Sequence, residues 1–325
     1  MKRFKNILFV KEPAASCEAD LERTVLLAKN NQASLTIIDV VEPMPSGLSA
    51  MPKGFIPETL RNAIIDERRE NLEQLVASAR AQVDVETQVL SGIPYLEVIR
   101  KVLRDGHDLV VKPAYNNGGL KARLFGGLDL HLLRKCPVPV WLMKLPKSGK
   151  YQRILAAVDI GHDDDDKALG DVLSLKILEL GSTLALTEFS EFHIVHAWNA
   201  AGESTLRSGR SSFNTQEVDD YVAGEMKRHR EWVDGLYQQA TKHLGEDALK
   251  YLSPEVHLPK GFARQVIPQL AQDINIDLVV MGTVARTGLP GFIMGNTAEM
   301  IINNINCSVL AVKPEGFVTP VTLEE

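Results

Sequence analysis

The sequence predicts an α/β fold of two tandem doubly wound domains. Each is a five-stranded parallel sheet with about four helices, of the nucleotide-binding α/β kind. Three observations predict this. One order of elements occurs twice within 325 residues, a length that suits two domains. Strands such as DLVV and ILAAV are apolar on both faces, as a sheet covered by helices on both sides requires. Amphipathic helical stretches separate these strands, the pattern of βα-repeating units.

Each copy opens with a short apolar strand behind a basic residue, KNILFVKE (5–12) and QRILAAVDI (152–160). A second strand follows, SLTIIDVV (34–41) and EFHIVHAW (191–198). Long amphipathic helices come next, around 57–82 and 215–244. Asn214 with Glu217 three residues later has the form of a capping box for the second of these. A glycine then opens a further helix, Gly92 and Gly261, and sixteen steps after each stands the same tetrapeptide, Asp-Leu-Val-Val, at 108–111 and 277–280. Last comes Cys-x-Val before a final strand, CPVPVWLM (136–143) and CSVLAVKP (307–314). In TAEMIINNI, Ala298, Ile301, Ile302 and Ile305 mark one buried stripe. The Pro/Gly/Lys-rich KLPKSGKYQ (144–152) is the linker, so the domains are placed at 1–148 and 149–325.

Composition narrows the function. A net charge of −6 argues against a general nucleic-acid binder, which needs a basic face. Three separated cysteines offer neither a disulfide framework nor a metal-ligand spacing, and a reducing cytoplasm fits them. The apolar part of MKRFKNILFVKE is too short for a signal peptide, and no run approaches a membrane span. Neither a Walker-type G-x4-G-K-[ST] nor a G-x-G-x-x-G occurs.

The segment GTVARTGLPGFIMGNTAE (282–299) lies between the strand DLVVM and an amphipathic helix. Parallel α/β sheets bind ligands beyond the carboxyl ends of their strands. A glycine lets the backbone approach a ligand, and the helix start presents free N–H groups to an anion. The segment therefore reads either as a phosphate cradle or as a long connection whose Asn and Thr are ordinary caps.

This segment resembles the carboxy-terminal signature of the universal stress protein family, G-x2-G-x9-G-[ST], with Gly282, Ala285, Gly295 and Asn296 at its four positions. The likeness spans the chain as two tandem domains. DLHLLRKCPVPVW (129–141), GTVARTG (282–288) and TPVTLEE (319–325) are similar to the tandem E-type members of that family.

The resemblance implies stress-response ligand binding, with ATP and Mg²⁺ held in the second domain. It implies that Asp159 contacts adenosine and that His196 and Ala197 flank the base. Met281, Gly282, Ala285, Gly295, Asn296, Thr297 and Ala298 would form the phosphate loop and helix start. It also implies domains paired as an internal pseudo-dimer, with further homodimerisation open, and at most slow ATP hydrolysis without a nameable catalytic residue. Ala285 and Asn296 depart from the signature. In the first domain Pro113, which lacks an N–H, stands in the place of Gly282, while Glu12 stands in that of Asp159. That copy reads as structural, or as binding something other than ATP. Alternatives kept open are a carrier of an apolar or nucleotide-sugar ligand and a protein–protein adaptor.

Other features have plain readings. GHDDDDK (161–167) is a solvated helix start or a Mg²⁺ contact beside phosphates. His193 and His196 fall on opposite faces of a strand, a poor metal pair, and no metal site is expected. Arg134, Lys135 and KARL (121–124) form a solvated face or a basic patch. The stretches 42–55 and 199–214 read as loops over the sheet edge, the latter as a mobile lid.

Overall fold

The computed structural model describes residues 4–11, 17–43, 57–114, 125–146, 148–160, 164–208, 212–284 and 294–323. Its chain divides into two compact units, one of residues 3–145 with 316–325, the other of residues 146–315.

The first unit contains β1 (Asn6–Val10), α1 (Glu18–Asn31), β2 (Ser34–Val41), α2 (Pro57–Val76), β3 (Val85–Ser91), α3 (Pro94–Asp105), β4 (Leu109–Pro113), α4 (Gly127–Lys135) and β5 (Val140–Met143). Its strands are all parallel, in the order β3-β2-β1-β4-β5. The second contains β6 (Arg153–Ala157), α5 (Asp164–Glu188), β7 (Glu191–Val195), α6 (Glu203–Leu206), α7 (Thr215–Thr241), α8 (Glu246–Leu252), β8 (Glu255–His257), α9 (Ala263–Asp273), β9 (Leu278–Gly282), α10 (Asn296–Asn304) and β10 (Ser308–Val312). Its order is β10-β9-β6-β7-β8, again parallel. In both, the strand order reverses beside the first strand, between β1 and β4 and between β6 and β9. That is the switch point at which doubly wound sheets open a crevice.

The repeated Asp-Leu-Val-Val owes its aspartate to a clamp. Asp108 accepts hydrogen bonds from the Lys5 and Asn6 N–H groups at 2.6 and 3.1 Å, and Asp277 accepts those of Gln152 and Arg153 at 2.6 and 3.1 Å. Each carboxylate ties the start of the neighbouring strand. Gly92 and Gly261, at φ 156° and 144°, hold backbone that side-chain-bearing residues rarely adopt. A Cβ would also meet Glu97 Cγ at 2.7 Å at the first and Val266 Cγ1 at 2.9 Å at the second.

The four strands read in each copy are present, and the Asn214 box is closed on both sides. Asn214 Oδ1 accepts from the Glu217 N–H at 3.0 Å, and Glu217 Oε2 from the Asn214 N–H at 2.8 Å. All four residues of the Ala298–Ile305 stripe are buried, as are Cys17, Cys136 and Cys307.

Three expectations change. Among its described residues the second unit has six helices, not about four, because α6 and α8 are added around the long α7. The stretch 199–214 carries α6, where a loop was expected. Arg207 bonds Glu203 at 3.0 Å and Asp219 at 2.7 Å, and Lys260 pairs with Glu203, so local ion pairs hold the turn. Finally, residues 316–323 pack with the first unit rather than continuing the second: Gly316 turns at φ 77°, and Arg100 Nε donates to the Thr322 carbonyl at 3.2 Å.

Candidate functional site

The carboxyl ends of β6 and β9 lie side by side, with Ala157 paired to Met281. Asp159 follows two residues beyond β6 and is exposed; its backbone is held by the Ser174 hydroxyl, which donates to the Asp159 carbonyl at 3.1 Å. Gly282 ends β9, and Gly295, Asn296 and Thr297 begin α10. The neck between them is closed by a Val284–Met294 bridge and by the Gly295 N–H donating to the Thr283 carbonyl at 3.1 Å. The switch-point crevice is thus flanked by Asp159, Gly282 and the start of α10. Ala285 and residues 286–293 lie outside the described residues.

Asn296 and Thr297 are exposed, and the first turn of α10 has no side-chain cap. A helix start leaves its first N–H groups without intrahelical acceptors, and the dipole favours an anion there. Ala298, at the third helical position, is buried and brings no charge. Met281 is buried in the sheet.

Gly282 has a packing reason of its own. A Cβ there would lie 2.7 Å from Leu173 Cδ2 of α5. The glycine therefore admits the helix above the strand whether or not a ligand approaches.

His196, at the end of β7, is buried and pinned on both ring nitrogens, Nδ1 at 3.2 Å from the Val158 carbonyl and Nε2 at 2.9 Å from His229 Nδ1. It is one of four rings in an aromatic cluster with Trp232 and, through His229, Trp198, at centroid distances of 5.1 and 5.5 Å. Burial holds the His229 pKa below its ordinary value, with the Arg228 charge adding to the effect. Only the backbone at His196–Ala197 is left to flank a ligand. The cluster was not legible in the sequence, because His229 and Trp232 lie on α7, more than thirty residues downstream.

Lys313 was also missed. The residue is 1% exposed, and its Nζ donates to Thr283 Oγ1 at 2.7 Å, beside the neck.

The first unit has the same frame with the site filled. Lys112 takes the register of Met281, and Asp129, third in α4, that of Ala298. Lys112 Nζ lies 2.9 Å from Asp129 Oδ1, while Asp129 Oδ2 accepts from the Gly126 N–H at 2.8 Å. A carboxylate of the chain itself occupies the helix start. On β2, the buried Asp39 is reached by both Lys11 and Arg68 at 3.2 Å, in the register of His196. Glu12, residues 44–56 and the KARL segment lie outside the described residues, as do residues 161–163 of the aspartate run, whose remainder starts α5. Lys135 sits over the Tyr95 ring at 4.3 Å.

The strand order defines a class: tandem doubly wound α/β domains, each with a topological switch point beside its first strand. The universal stress protein family model matches residues 3–144 and again 150–313, and the chain belongs to that family. It is 31% identical to universal stress protein E of Escherichia coli K12, covering 100% of this chain and 99% of that one. It is 27% identical to the universal stress protein E homolog of Haemophilus influenzae, over 96% and 98%. Among solved structures, a functionally unknown protein from Pseudomonas aeruginosa PAO1 superposes with a TM-score of 0.65 at 24% identity, covering 96% of this chain and 93% of the other. A universal stress protein from Archaeoglobus fulgidus does so with a TM-score of 0.60 at 17% identity, over 95% and 98%. Among the described residues, no helix is long and apolar enough to cross a membrane.

Proposed function

We propose that the second unit binds an adenine nucleotide, ATP with Mg²⁺, as the ligand of a cytoplasmic stress-response protein, and that the first unit serves as its structural partner. The observation that supports this is the difference between two otherwise matching helix starts. That of α4 is filled by the carboxylate of Asp129, whereas that of α10 carries neutral Ala298 with Asn296 and Thr297 exposed beside it. Phosphates would lie at α10 against its N–H groups. Adenosine would lie toward Asp159 and the His196–Ala197 backbone. Mg²⁺ would accompany the phosphates, since it commonly takes one or two carboxylates together with phosphate oxygens. The role proposed is binding, with at most slow ATP hydrolysis.

The test is calorimetry and native mass spectrometry of the whole chain with ATP–Mg²⁺, beside Asn296→Asp and Thr297→Glu. Both changes put a negative charge on an exposed helix start. One ATP per chain is expected, with affinity at least tenfold weaker in either variant and an unchanged melting temperature. Absence of ATP binding, or wild-type affinity in both variants, overturns the reading. A different co-purified mass would favour the carrier alternative.

A further inference from the structure

The second unit carries a cluster that this function does not use. Parallel pairing sets His193 of β7 opposite Glu255 of β8, with Val195 opposite His257. Side chains alternate along a strand, so His193, Glu255, His257 and Glu191 share one face, opposite that of His196.

His193 Nδ1 lies 3.1 Å from His257 Nε2 and 3.6 Å from Glu255 Oε2, and His257 Nε2 lies 4.0 Å from Glu255 Oε1. A tetrahedral ion with bonds of about 2.0–2.2 Å holds its ligands roughly 3.3 Å apart. Three donors already stand at about that spacing. They grade from buried His193 through half-buried His257 to exposed Glu255, which leaves one side open to solvent.

We propose that His193 Nδ1, His257 Nε2 and the Glu255 carboxylate bind one divalent transition metal of the Zn²⁺ class, with water completing the shell. Imidazole and carboxylate together suit such an ion. Metal binding places the His193 proton on Nε2. That nitrogen is buried and has no hydrogen-bond partner among the described residues, and Glu191 Oε2 stands 3.7 Å from it. The arrangement is the one in which a carboxylate behind a ligating imidazole orients it.

The first unit supplies an internal comparison. The same register there holds Thr36, Glu86 and Gln88. A cation is built in: Lys101 Nζ of α3 lies 2.6 Å from Gln88 Oε1, 2.6 Å from Asp105 Oδ2 and 3.9 Å from Glu86 Oε1. Lys101 stands nine residues after Gly92. The residue nine after Gly261 is Leu270. The second unit thus lacks the ammonium and has two imidazoles in the places of Thr36 and Gln88.

The competing account is a plain N–H···N hydrogen bond between neutral histidines. Titration of Zn²⁺ into the untagged, chelator-treated full chain separates the two, with the electronic spectrum of bound Co²⁺ as a second readout. One Zn²⁺ per chain is expected. His257→Gln, on a short strand at the rim of this sheet, should weaken binding at least tenfold with the fold intact by circular dichroism, and Glu191→Gln should weaken it about tenfold. His243→Gln, outside the cluster, should bind like the wild type. Lack of saturable binding, or wild-type affinity in His257→Gln, overturns the proposal.

Discussion

Lys112 and Asp129 form an ion pair 2.9 Å long whose side chains are 3% and 4% exposed. It sits where the second unit has Met281 and Ala298, and so distinguishes two copies of one frame. Removing one partner leaves a buried charge unpaired, at a cost of about 3–5 kcal/mol, whereas replacing both can be nearly neutral. Asp129→Ala is therefore expected to lower stability in urea by about that amount. Lys112→Met with Asp129→Ala, which installs the residues of the second unit, should recover most of the loss. A double variant no more stable than Asp129→Ala would refute the pairing account.

Gly282 illustrates why a motif residue is a poor probe of binding. Its Cβ position is claimed by Leu173. Gly282→Val is expected to cost about 1–3 kcal/mol by overpacking. Combining it with Leu173→Ala should offset part of that cost. Chemical denaturation of the two variants decides the matter, and a fully stable Gly282→Val would show that the helix gives way freely.

At α7 the prediction is local. Asn214→Ala removes the side-chain acceptor for the Glu217 N–H, and a lost helix cap costs about 1 kcal/mol. Thermal melts would register it as a drop of a few degrees with no change in ligand binding.

Stability should also fall on the acid side of neutrality. Burial holds the pKa values of His107, His131, His193, His229 and His257 below the ordinary value of 6.5. The unfolded chain then takes up protons that the folded chain refuses. The stability these groups lend is complete above about pH 6.5 and is lost as pH falls from there toward their folded-state values. The melting temperature at pH 5.5 should lie below that at pH 7.5, and a flat profile across this range would contradict it.

Much of the fold was legible because its signals are local and doubled. Asp-Leu-Val-Val at a fixed distance from a glycine occurs twice, and both parts have structural duties: Asp108 and Asp277 clamp a neighbouring strand, and Gly92 and Gly261 take up positive φ. The third strands, β3 and β8, escaped a specific reading. β3 alternates half-buried and exposed residues, and β8 has only three residues. The helix α6 was taken for loop because four residues held by ion pairs to Asp219 and Lys260 carry no periodicity.

By itself the sequence determined the doubling, the parallel α/β class, the α7 cap and the family. These depend on spacings of a few residues, or on apolar patterns that only one fold class buries. What fills each site was decided by the tertiary structure. Lys112 and Asp129 are seventeen residues apart, His196 and His229 thirty-three, and His193 and His257 sixty-four. No spacing rule joins such pairs. They meet because parallel strands and their crossover helices set distant residues in register, where a buried charge or imidazole must find a partner or remain costly to bury.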